Sequence, residues 1–171
     1  IPVLGELAKH NSVNSIVVSE NERTLVAEQF RHLRTSLSYL GVNKGKKKIL
    51  ITSTIANEGK SFVSSNLSVA LALRGKKVAL LELDLRRPKI SQIFGLKSSK
   101  GISTYLIGDA GPEEIVKICP TNPNLFIIPS GPIPPNPSEL LMNEKLPELL
   151  TYYEGIFDYI IIDTAPTRPI T

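Results

Sequence analysis

The segment from Lys48 to Leu83 leaves a chain of this kind few ways to fold. Lys48-Ile49-Leu50-Ile51-Thr52-Ser53 is a short apolar, partly β-branched run that ends in a polar turn. A helix is predicted after it, from about Gly59 to Leu73. Arg74-Gly75-Lys76 then puts basic residues and a glycine at the helix C-terminus, a combination that satisfies the last carbonyls and stops the helix. Val78 to Leu83 is a second apolar run. Strand, helix and strand within about 35 residues form a βαβ unit, which requires parallel pairing and a right-handed crossover. Two later runs, Leu125-Phe126-Ile127-Ile128 and Tyr159-Ile160-Ile161-Ile162-Asp163, add strands. The second is nearly all apolar, as expected when both faces of a sheet are covered. The predicted fold class is therefore α/β, a doubly wound and mostly parallel sheet with helices on both faces.

Ahead of this unit the pattern is helical from about Glu22 to Leu40. Phe30, Leu33, Leu37 and Leu40 share one face, and Glu28, Arg31 and Arg34 occupy another. Asn43 to Gly45 breaks the chain. Residues 1–21 have no strong period and read as a linker with short extended pieces, such as Ser15 to Ser19; residues 22–171 read as the domain. Short helices are predicted near Lys89 to Phe94, Ile102 to Ile107 and Glu113 to Ile118. The four prolines between Gly131 and Pro137 demand an ordered turn or polyproline excursion. Ser138 is then expected to cap a helix running to about Tyr152. A doubly wound sheet calls for further strands and a covering helix after Asp163, so the chain reads as a piece of a larger domain.

Composition excludes several classes. With 171 residues, 42% of them hydrophobic, the chain can bury a core, and no run of about 18 apolar residues marks a helical membrane span. One cysteine, Cys119, rules out an internal disulfide framework. The net charge is +4, and the densest cluster, Lys44, Lys46, Lys47 and Lys48, reads as a solvated strand entrance. Tryptophan is absent and no aromatic residues interleave with the lysines, so nucleic acid is not an expected partner.

The turn after the first strand is Thr52-Ser53-Thr54-Ile55-Ala56-Asn57-Glu58-Gly59-Lys60-Ser61. Gly-Lys-Ser at a helix start marks a phosphate-binding P-loop. Backbone N–H groups and the helix dipole hold phosphate oxygens, Gly59 permits close approach, Lys60 reaches the phosphates and the Ser61 hydroxyl can ligate Mg²⁺. Thr54 stands where the usual pattern has its first glycine. The second strand ends in Glu82-Leu83-Asp84-Leu85-Arg86-Arg87-Pro88. Alternation points Glu82, Asp84 and Arg86 to one side if the chain stays extended; the plainer reading has Asp84 capping the next helix and Arg86 solvated. Asp163 closes the last strand, where parallel sheets bind ligands at their carboxyl edge. It reads as a metal-supporting carboxylate, with an ordinary turn former as the alternative.

These motifs resemble those of the bacterial tyrosine kinases, a branch of the P-loop NTPases, across nearly the whole chain. Thr52–Ser61 is similar to the family's Walker A, Leu80–Arg86 to its second Walker motif and Ile160–Pro166 to its Walker B. Glu28, Arg31 and Arg34 fit its Glu-x-x-Arg-x-x-Arg helix, and Ser130 to Leu141 its proline loop. Ile1-Pro2-Val3-Leu4-Gly5 is similar to the segment that follows the second transmembrane helix in polysaccharide co-polymerases. The resemblance implies an ATP-dependent tyrosine autokinase acting in trans on a tyrosine-rich C-terminal tail. It would be the cytoplasmic domain of a membrane-anchored parent in the bacterial inner membrane and would govern capsular or exopolysaccharide export. It further implies ATP or ADP and Mg²⁺ as ligands, held by Thr54, Ala56, Asn57, Glu58, Gly59, Lys60, Ser61 and Phe62, with Ser61, Asp84 and Asp163 at the metal. Lys60, Glu82, Asp84 and Arg86 would form the catalytic group. Glu28, Arg31 and Arg34 would join neighbouring subunits of a homo-oligomeric ring.

Two departures bear on this. Glu82 stands where the family usually has aspartate, and Tyr152, Tyr153 and Tyr159 lie inside predicted elements, as packing residues rather than acceptors. A ParA- or MinD-like ATPase switch is the nearest alternative. Its relatives carry a second lysine near Ile55 or Ala56, which is missing here. A nucleotide-stabilised assembly module without phosphotransfer is the other.

Overall fold

The computed structural model describes residues 3–11, 13–41, 45, 47–97 and 99–167. Ile1, Pro2, Asn43, Lys44 and Lys46, on which parts of the sequence reading fall, lie outside the described residues. The elements run α1 (Leu25–Tyr39), β1 (Lys48–Ile51), α2 (Lys60–Ala72), β2 (Val78–Glu82), α3 (Ile90–Ile93), α4 (Ile102–Leu106), β3 (Lys117–Cys119), β4 (Asn122–Ile128), α5 (Pro137–Leu141), α6 (Lys145–Glu154) and β5 (Tyr159–Asp163). They form one sheet in the order β1-β5-β2-β4-β3. All pairs are parallel except β3 with β4. The α/β class and mostly parallel sheet agree with the sequence.

Alternation splits the core into two layers. Val78 and Leu80 of β2, with Leu125, Ile127 and Ile161, pack against α1, α2 and the buried Val17 and Val18. Ala79 and Leu81, with Ile128, Ile160 and Ile162, face α4 and α6 through Leu106, Leu149 and Tyr153. In α1, Thr24 caps the first turn, and Phe30 and Leu37 are buried as the helical period requires, with Leu40 just past the helix end and exposed.

One buried amide fastens the first segment. Asn66 is fully buried in α2; its Oδ1 accepts from the Val17 and Val18 N–H groups at 2.8 and 3.3 Å. Its Nδ2 donates to the Ser15 and Phe62 carbonyls at 2.8 and 2.9 Å. Asn66→Ala leaves the Val17 and Val18 N–H groups and the Ser15 carbonyl short of a partner, while the Phe62 carbonyl keeps its helical bond. It is expected to cost roughly 1–3 kcal/mol in urea unfolding and to hasten proteolysis within residues 13–24.

Two elements differ from the sequence reading. The helix expected near Glu113 to Ile118 is a turn followed by β3, because a short β-branched run joined tightly to Asn122 pairs as a hairpin with β4. The helix expected from Ser138 to Tyr152 is two helices, α5 and α6. Pro147 has no N–H to give the Asn143 carbonyl and would crowd it, while Asn143 Oδ1 takes the Lys145 N–H instead. Asn136, not Ser138, precedes the first of the two, with Pro137 opening it.

Tyr153 and Tyr159 are buried as packing residues, whereas Tyr152, expected to pack as well, is exposed and donates its hydroxyl to Glu113. Tyr153 donates to the Pro112 carbonyl, and burial pushes its phenol pKa far above the ordinary value. Among the described residues no helix is long and apolar enough to cross a membrane.

Candidate functional site

The sheet order sets the site. β5 lies between β1 and β2, with Asp163 in register with Ile51 on one side and Glu82 on the other. The loop leaving β1, the last residue of β5 and the segment leaving β2 thus meet at one carboxyl edge, the place where open parallel sheets take ligands.

The loop from β1 turns into α2 through two residues with positive φ, Asn57 at 65° and Gly59 at 86°. Gly59 needs this freedom to aim the first N–H groups of α2 inward. Glu58 folds back so that its Oε2 accepts from Thr54 and Ile55 N–H at 2.8 and 3.1 Å, bracing the first half of the loop. Ala56 is half-buried in the same loop. Phe62 anchors the far side, its ring stacked on His10 and edge-on to Phe30, both at 5.6 Å.

Lys60, the first residue of α2, stands between two carboxylates. Its Nζ is 3.6 Å from Asp84 Oδ2 and 3.9 Å from Asp163 Oδ1, with all three side chains largely buried. Asp163 accepts from Ser61 Oγ at 2.9 Å and Ser64 Oγ at 2.8 Å. Burial raises the Asp163 pKa above the usual carboxylate range, and the Asp84 charge adds to the rise. Ser64, Lys60 and Ser61 oppose it. Asp84 turns its other oxygen, Oδ1, to the Arg87 N–H at 3.1 Å.

Lys60, Ser61, Asp84 and Asp163 are therefore brought together, and Glu82 and Arg86 are bonded elsewhere. β2 ends at Glu82 and the chain turns at Asp84, so strand alternation does not carry Arg86 inward. Arg86 is exposed and donates to Ser138 Oγ at 2.6 Å. Glu82 is fully buried. Its Oε1 accepts from Ile90 and Ser91 N–H, and its Oε2 from Ser91 Oγ and Ser130 N–H. The expectation that Glu82 shares one chemical face with Asp84 and Arg86 gives way to a carboxylate filled by four donors from the start of α3 and the turn after β4. Ser64 escaped the sequence reading, although its spacing of three from Ser61 on a helix places both hydroxyls on one face.

Glu28, Arg31 and Arg34 are apart from this site, on α1. Arg31 pairs with Glu28 and donates to the Ser19 and Glu22 carbonyls. Arg34 donates to the Ala70 carbonyl at 2.9 Å, its pKa lowered by burial and by the nearby Arg74 and Arg31 charges.

The residues fit a nucleotide with Mg²⁺. A cavity of about 460 Å³ opens at Asn57, Gly59, Lys60 and Ser61. A hydroxyl and one or two carboxylates completed by phosphate oxygens is the usual hard-oxygen donor set for Mg²⁺. Among the described residues no cluster of three or more His, Cys, Asp or Glu forms a metal cage. A larger cavity, about 810 Å³, lies between residues 16–22 and 119–124 and includes none of the phosphate-loop residues.

Comparison with known proteins agrees with this geometry. Residues 44–168 match a family model described as ParA, NUBPL iron-transfer P-loop NTPase. The tyrosine-protein kinase YwqD of Bacillus subtilis is 35% identical over 152 residues, covering 89% of this chain and 64% of YwqD. The putative tyrosine-protein kinase CapB of Staphylococcus aureus is 30% identical over 163 residues, covering 95% of this chain and 71% of CapB. The chain belongs to the bacterial tyrosine kinases. These are members of the ParA-type P-loop NTPases, as the family model indicates. Among solved structures, the chimerical protein CapA2B2 superposes with a TM-score of 0.88 at 31% identity, covering 99% of this chain and 73% of that one. The septum site-determining protein MinD of Pyrococcus horikoshii, complexed with Mg-ADP, superposes at 0.62 and 29% identity, covering 72% and 50%. Because the chain spans less than two thirds of YwqD, membership of the family does not by itself give this chain the activity of the whole protein.

Proposed function

We propose that this chain is the catalytic domain of an ATP-dependent protein-tyrosine autokinase, acting in trans within an oligomer and regulating capsular or exopolysaccharide synthesis and export. The observation that carries the reading is the meeting of Lys60, Ser61, Asp84 and Asp163 at one sheet edge, in a chain whose relatives are named tyrosine kinases.

Each side chain has a task in phosphoryl transfer, where positioning and charge stabilisation dominate. The loop N–H groups and Lys60 hold the phosphates. Ser61 and Asp163 would hold Mg²⁺, with Ser64 fixing the carboxylate orientation, and the ion would offset charge on the phosphate oxygens. Asp84 orients the acceptor tyrosine hydroxyl and takes its proton, while its bond to the Arg87 N–H fixes the carboxylate plane. Glu82 holds the Asp84 segment in place rather than contacting substrate.

Phosphotyrosine mass spectrometry on the full-length protein with ATP and Mg²⁺ tests the reading. Wild type is expected to acquire phosphotyrosine and Lys60→Met to lose it by at least about 10²-fold. Nucleotide hydrolysis without phosphotyrosine would favour a MinD-like switch instead.

The α1 arginines are proposed to contribute to the ring. Arg31→Ala with Arg34→Ala is expected to shift light scattering toward monomer. It is also expected to cost about 1–3 kcal/mol of stability, since both guanidiniums hold carbonyls within the chain. Unchanged assembly would remove α1 from the interface.

A further inference from the structure

Lys89 stands at the mouth of the phosphate-loop cavity and has no part in the chemistry described so far. Its Nζ donates to Asn57 Oδ1 at 2.9 Å, bridging from the start of α3 to the loop. Both residues line the cavity that holds Gly59, Lys60 and Ser61. Asn57 is a neutral amide, and no carboxylate among the described residues pairs with Lys89. Its positive charge is therefore uncompensated. Lys60 is the opposite case, one ammonium facing the carboxylates of both Asp84 and Asp163. A polyphosphate entering this cavity meets a loop lysine that is already matched, and a rim lysine that is not.

The backbone beneath Lys89 is held. Ile90 and Ser91, the next two residues, give their N–H groups to the buried Glu82. The position of the Lys89 Cα is thereby tied to β2, and its side chain lines the cavity. Exchanging an amide oxygen for a phosphate oxygen replaces a neutral acceptor with a charged one, a bond roughly twice as strong.

We propose that Lys89 is a second phosphate-binding lysine, whose ammonium leaves Asn57 to bond the phosphate chain of a bound nucleotide. The proposal rests on the nucleotide reading of the loop. It gives this chain, from its own α3, a second cation at the phosphates besides Lys60.

Equilibrium binding of Mg-ATP and Mg-ADP to the full-length protein tests it, with wild type, Lys60→Met, Lys89→Met and Lys89→Arg compared. Lys89→Met is expected to weaken Mg-ATP by about tenfold or more. It should also reduce the salt dependence of binding, as loss of one phosphate-facing charge requires, and leave the melting temperature of the nucleotide-free protein unchanged. Lys89→Arg is expected to recover most of the affinity. The Lys89→Met loss should persist in an Asn57→Gly background, which separates a phosphate contact from a loop latch. If wild type and Lys89→Met bind alike while Lys60→Met does not bind, this proposal fails and the nucleotide site stands. If wild type binds neither nucleotide, both fall. A loss that vanishes in the Asn57→Gly background would make Lys89 a latch and overturn the proposal.

Discussion

Asp163→Asn is expected to lower phosphoryl transfer by at least about 10²-fold while leaving the nucleotide-free protein at least as stable as wild type. The two halves of this expectation have one cause. Asp163 is 1% exposed at the end of β5, and burial holds its pKa above the ordinary range. Its ionised form is thus a burden on the metal-free fold. With the folded pKa raised, the native state binds more protons than the unfolded one through the carboxylate range. The cost is full above the folded pKa and disappears as pH falls below the unfolded value. Asparagine removes that cost; its one oxygen can accept from one of the two serine hydroxyls, and its NH₂ can donate to the other. It cannot offer the charge that Mg²⁺ requires, and it leaves Lys60 with Asp84 alone. Thermal melts from pH 4 to 8 without nucleotide should show a flatter pH dependence for Asp163→Asn, alongside a collapsed rate. A variant both unstable and inactive would mean that Asp163 is chiefly a structural residue.

Glu82→Ala is expected to be among the most destabilising single changes in the domain, on the order of 3–5 kcal/mol by urea unfolding. Its carboxylate serves the Ile90, Ser91 and Ser130 N–H groups and the Ser91 hydroxyl. Truncation strands these donors around a fully buried position. Glu82→Asp restores the acid usual at this position in the family but draws the carboxylate back by one methylene. The four donors are set by β2, α3 and the turn after β4, so the shorter acid cannot satisfy all of them. It is expected to recover only part of the stability and to lower activity through misplacement of the Asp84 segment. Full activity and stability in Glu82→Asp would show that acid type, not reach, is what matters here.

The phosphate loop was legible because strand, turn and helix carry local signals, and Gly59-Lys60-Ser61 falls where those signals place a helix start. Asp163 was legible for the same reason, as a carboxylate ending an apolar run. The position of Arg86 was not. Alternation holds only while the strand lasts, and the turn at Asp84 depends on a side-chain-to-backbone bond. The partners of Glu82 were hidden more deeply, since three of them are backbone N–H groups, present at almost every residue. The run Ile115-Val116-Lys117-Ile118 suits helix or strand, and only pairing with β4 decides between them. Pro147 did carry its signal and marks the break between α5 and α6 in the sequence itself.

Asn66 joins two parts of the molecule that otherwise have separate tasks. The helix that begins with Lys60 also holds, by side-chain bonds to the backbone at 15, 17 and 18, the segment that precedes α1. Tension on that segment would pull directly on the phosphate-binding helix. A pull on residues 15–18 would thus reach the helix that carries Lys60 and Ser61 through a single amide.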